Sequence, residues 1–73
     1  MKKYRIQLDF SEDAFRELEK LVSTLGAPSH AEVIRNALGV FRWVTEHLIE
    51  GDKILVQQKN SRPTEVEFPF LRR

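Results

Sequence analysis

The stretch PSHAEVIRNAL, residues 28–38, decides how this chain is read. Ser29 and Glu32 have the S-x-x-E spacing of a capping box, in which the serine oxygen accepts from the Glu32 N–H and the glutamate reaches back to the N–H of Ser29. Beyond the cap, apolar residues recur at Val33, Ile34, Ala37, Leu38, Phe41, Val44 and Leu48, helical spacing held through to Glu50. Such a helix is roughly 33 Å long, about the width of a small domain. Its apolar face is too broad for the rest of a 73-residue chain to cover. A second copy is the most economical cover.

Working outward, the linker before this helix holds Gly26, a left-handed C′ candidate, and Pro28, which lies just outside the next helix. Upstream, Ser11 is a good N-cap, Glu12 and Asp13 sit where the macrodipole favours anions, and Phe10 and Phe15 have the spacing of a hydrophobic staple. Ala14, Phe15, Leu18, Leu21, Val22 and Leu25 fall on one stripe, so a first helix is expected from Ser11 to Gly26. Tyr4 to Phe10 alternates instead: Ile6, Leu8 and Phe10 share one face, and Arg5, Gln7 and Asp9 the other. That is a half-buried strand with no neighbour in the chain before the helix. A twofold dimer resolves this by pairing the strand antiparallel with its own copy.

Composition narrows the class. The 73 residues make one domain near the size at which a single core is marginal, and with no cysteine there is neither a disulfide framework nor a thiolate metal site. No membrane span or leader is expected, and a cytoplasmic location suits the composition. The net charge of +1 says little, but residues 1–10 carry Lys2, Lys3 and Arg5 against Asp9 alone. A basic arm ahead of an acidic helix points to a polyanion at the N-terminal end. His30 and His47 lie too far apart on one helix to share an ion, and no nucleophile, base or paired-carboxylate set can be assembled, so neither a metal site, a cofactor nor an enzyme is expected.

The ordered set of Arg5-Ile6-Gln7-Leu8, the Ser11 cap, Leu18 and Val22, Gly26, then Ser29-x-x-Glu32-Val33-Ile34-Arg35-x-Ala37-Leu38 resembles a ribbon-helix-helix domain of the Arc/MetJ/CopG type over residues 4–48. The resemblance implies a mostly α homodimer with β, residues 1–50, whose paired strands enter the DNA major groove as a β-ribbon. It places Arg5, Gln7 and Asp9 at base-facing positions and Ser29 and His30 at a phosphate clamp. The chemistry suits Arg5 for guanine and Gln7 for adenine. Asp9 departs from the family pattern; it accepts from cytosine N4 or, the favoured reading, supports Ser11 and the free amides of the first helix. The cap is Ser29's first role and phosphate binding is additional to it. His30 is as readily a plain first-turn residue, Lys2 and Lys3 suit non-specific phosphate contacts, and Arg35 is expected to pair with Glu32 or an acid of the first helix. A small dimeric transcriptional repressor is the expectation.

Residues 51–73 leave the resemblance behind. Lys53–Gln58 reads as a strand, Lys59–Pro63 as a turn, and Thr64–Phe70 as a second, edge strand ending at Pro69. The hairpin is expected to dock by Trp43, with Gly39 permitting close approach. The rival is an antitoxin-like or adaptor dimer whose C-terminal extension binds a partner protein.

Overall fold

The computed structural model describes residues 1–70; residues 71–73, the end of the expected C-terminal extension, lie outside the described residues. Two helices, α1 (Glu12–Leu25) and α2 (His30–Ile49), precede two short strands, β1 (Leu55–Val56) and β2 (Thr64–Glu65). The chain divides into two compact units, Met1–Arg35 and the remainder from Asn36, with the division falling inside α2.

In the first unit, residues 1–10 carry no helix or strand and every one is exposed. The strand expected over residues 4–10 is therefore absent from the single chain, because a strand exists only where a ladder partner satisfies its N–H and C=O groups. α1 begins where expected. The Ser11 backbone is extended (φ −64°, ψ 164°), its Oγ accepts from the Ala14 N–H at 3.1 Å, and Arg16 pairs with Glu12 one turn back. Gly26 ends the helix at φ 61°, where only glycine sits without penalty. The N–H of Gly26 donates to the Ser23 carbonyl (3.2 Å) and that of Ala27 to Val22 (3.0 Å), the two bonds of a Schellman turn. Leu18 and Val33 are the buried apolar residues of this unit. Phe15, expected to staple against Phe10, has its ring contact with His30 instead.

In the second unit, α2 ends by the same device. Gly51 takes φ 87°, its N–H donates to Leu48 at 3.1 Å, and the Asp52 N–H donates to His47 at 3.0 Å. The strands are antiparallel, with Leu55 opposite Glu65 and Val56 opposite Thr64, and the Val66 N–H extends the ladder to the Ile54 carbonyl at 2.8 Å. They are much shorter than the alternation suggested. Gln58 accepts from the Ser61 N–H (3.1 Å), Gln57 donates its side-chain amide to the Ser61 carbonyl (3.3 Å), and Asn60 turns through φ 63°, so the connection consumes the far end of both strands. Pro63 and Pro69 remove two ladder donors at either side of the second strand.

The expected docking of the hairpin by Trp43 is not what forms. Trp43 meets His47 of its own helix (ring centroids 4.5 Å apart), whereas Phe70 packs on Phe41 (5.0 Å) and on Phe68 (5.6 Å). Among the described residues, nothing other than its chain neighbours and the backbone of its own helix comes within 4 Å of where a Cβ on Gly39 would stand. Phe41 offers an apolar ring on the open side of α2, while Trp43 is bracketed in sequence by Arg42, Glu46 and His47. The aromatic tail follows the apolar face.

Candidate nucleic-acid interface

The residues expected to face DNA fall into an arm without helix or strand and a helix N-terminus, both within the first unit. In the arm, Arg5, Gln7 and Asp9 alternate with Ile6, Leu8 and Phe10, which are 77%, 58% and 42% exposed. These apolar side chains are only partly covered in the single chain, and burying the remainder would add a share of the about 1.5–3 kcal/mol that full burial of such a side chain is worth. The three helical arginines are tied down on their own helices: Arg16 to Glu12, Arg35 to Glu32 at 2.9 Å and Arg42 to Glu46 at 4.0 Å. Arg5, Lys2 and Lys3 make no ion pair among the described residues, which leaves the cationic heads of the arm in solvent.

Asp9 does not take the helix-supporting role favoured for it. The cap of α1 is completed by Ser11 alone, and Asp9 makes no hydrogen bond among the described residues. Its carboxylate is a free anion in an otherwise basic arm.

At the start of α2, Ser29 caps as expected, its Oγ accepting from the Glu32 N–H at 3.2 Å. The return half of the capping box is replaced: the Glu32 carboxylate accepts from Arg35 one turn on. His30 is also engaged. Its Nε2 lies 3.0 Å from Glu19 Oε1, and its ring lies 5.7 Å from that of Phe15. In this arrangement the imidazole serves α1, and Glu19 sets an anion beside the helix N-terminus where a phosphate is expected. Sequence reasoning missed Glu19 because its place depends on the path of the turn through Gly26, not on any local spacing.

The C-terminal half of α2 carries chemistry of a different kind. A surface depression of about 420 Å³ is lined by Glu46, His47, Ile49, Glu50 and Asp52, and His47 Nδ1 is held by Asp52 at 2.8 Å. Among the described residues no three His, Asp or Glu side chains gather as a metal site. Leu38, Phe41 and Ile49 stand 66%, 48% and 56% exposed, and between them lies Thr45, whose buried hydroxyl has no hydrogen-bond partner among the described residues. No described helix is long and apolar enough to cross a membrane. Comparison with protein-family models, with curated proteins and with solved structures gives no match for this chain.

Proposed function

We propose that the chain works as a homodimer of the ribbon-helix-helix type that binds double-stranded DNA with sequence specificity, as a small repressor of transcription. One observation carries the reading: an arm of alternating apolar and polar residues, exposed throughout, precedes two capped helices joined by a tight turn at Gly26. In the dimer, the arms pair antiparallel. Ile6, Leu8 and Phe10 turn inward, and Arg5 and Gln7 turn outward into the major groove. The exposed side chains of Leu38 and Ile49 on α2 support a second copy there as well.

Phosphates on either side meet the first-turn amides of α2 next to Ser29, with Lys2 and Lys3 adding contacts that do not depend on sequence. His30 joins them only by leaving Glu19, so its contribution is conditional on DNA being present.

The test is a titration of duplex DNA with arm variants. Arg5→Ala and Gln7→Ala are expected to cost on the order of 1–3 kcal/mol per lost base contact and to relax preference at defined positions of each half-site. Lys3→Ala is expected to weaken all duplexes alike and to lower the salt dependence. If the Arg5 and Gln7 variants bind every duplex as the parent does, the arm is not a reader and the protein-binding dimer takes its place.

A further inference from the structure

The arm's own residue pattern selects how two copies pair. We propose that the ribbon is centred on Gln7, which sets Arg5 of each copy opposite Asp9 of the other and makes Asp9 a positioning residue for Arg5. This rests on the dimeric reading above.

Antiparallel pairing of a strand with its own copy is symmetric, so the register is named by the residue at its centre. Every residue-centred register keeps the apolar and polar faces intact, and the three that pair most of the arm are centred on Ile6, Gln7 and Leu8. Centring on Leu8 would set Arg5 opposite Ser11, already engaged as the cap of α1, and Tyr4 opposite Glu12, inside the helix. Centring on Ile6 would set Phe10 opposite Lys2, wasting the apolar face. Centring on Gln7 sets Ile6 opposite Leu8 and Tyr4 opposite Phe10, so all four apolar side chains find apolar partners, one pair of them aromatic. The same register juxtaposes the arm's free guanidinium and its free carboxylate on the outer face, twice per dimer. Both lack an ion-pair partner among the described residues of the single chain. Asp9, out of place as a groove-facing anion, then has a chemical reason to be there. It takes part of the arginine's donor fork, fixes the side chain, and leaves the remaining N–H groups for a base edge.

The chain contains no cysteine, so single-cysteine variants of the full protein report the register directly. Directly opposed residues in an antiparallel pair have Cα atoms roughly 4.5–5.5 Å apart, within disulfide range, whereas diagonal neighbours at about 7–8 Å are outside it. Gln7→Cys is expected to form a disulfide-linked dimer on mild oxidation, and Ile6→Cys and Leu8→Cys are not. A link at position 6 or 8 in place of 7 overturns the register while leaving the ribbon standing. No link at any of the three overturns the ribbon and the DNA-reading dimer with it. Charge exchange tests the pair itself. Asp9→Arg, which opposes two arginines at both ends, is expected to raise the dimer dissociation constant about threefold to thirtyfold by sedimentation equilibrium. The double variant Arg5→Asp/Asp9→Arg is expected to restore it to within about twofold, with helical content falling and recovering alongside the dimer. Failure of the double variant to restore dimerisation would show that the two side chains do not meet.

Discussion

Gly26 and Thr45 bracket what single positions tell in this chain. The φ of 61° at Gly26, with open space around its Cα, means that Gly26→Ala is opposed by backbone strain alone. A thermal melt is expected to register a loss of about 1–2 kcal/mol. Thr45 is the opposite case, a side chain with a buried hydroxyl that no described residue satisfies. Thr45→Val removes that group at nearly constant volume and is expected to be neutral or to stabilise by up to about 1 kcal/mol in denaturant unfolding. A clear loss would mean that the hydroxyl is bonded in the assembled protein. At this scale the sequence was readable at the Ser11 and Ser29 caps and the Glu32–Arg35 pair, each a contact between residues three apart, but not at the return half of the capping box. It was unreadable at His30 and Glu19, eleven positions apart, where the meeting depends on the turn between the helices.

At the scale of elements, the helices were legible because each carries its own start, stripe and stop. The strands were legible in place but not in length: the C-terminal antiparallel pair forms inside the two runs expected for it, while an arm with no ladder partner forms no strand. The arm alternates over seven residues and forms none in the single chain, while the C-terminal alternation delivers a ladder of only two residues a side. The tail also chose Phe41 over Trp43, since helical angle alone cannot say which exposed ring will be covered. Two outcomes follow for α2. Gly39→Ala is expected to raise stability by about 0.8–1 kcal/mol, the propensity difference at an exposed helix position, because nothing meets the added methyl group. A loss on thermal melting would instead place another backbone against Gly39. Removing residues 53–73 is expected to leave the Trp43 emission maximum nearly unshifted, since the indole is already 53% exposed and Asp52 still holds its neighbour His47. A distinct red shift would mean that the extension shields the indole after all.

For the described residues taken together, the balance lies between three buried apolar residues, Leu18, Val33 and Val44, and a far larger set left in solvent. A core of that size does not offset the ordering of this many residues, so folding and assembly are expected to be one event. Phe41→Ala separates the cases by magnitude. Truncating a side chain that stays about half exposed costs well under the roughly 3–5 kcal/mol of a fully buried phenylalanine, and the larger figure is the one expected here, with a midpoint that shifts with protein concentration. The central claim is that two arms together read DNA, and a binding selection from random duplex DNA tests it most directly. The account predicts enrichment of a twofold-symmetric site whose preferred bases change at matched positions of both halves when Arg5 or Gln7 is replaced by alanine. Recovery of no preferred sequence, or of one indifferent to both substitutions, would contradict it.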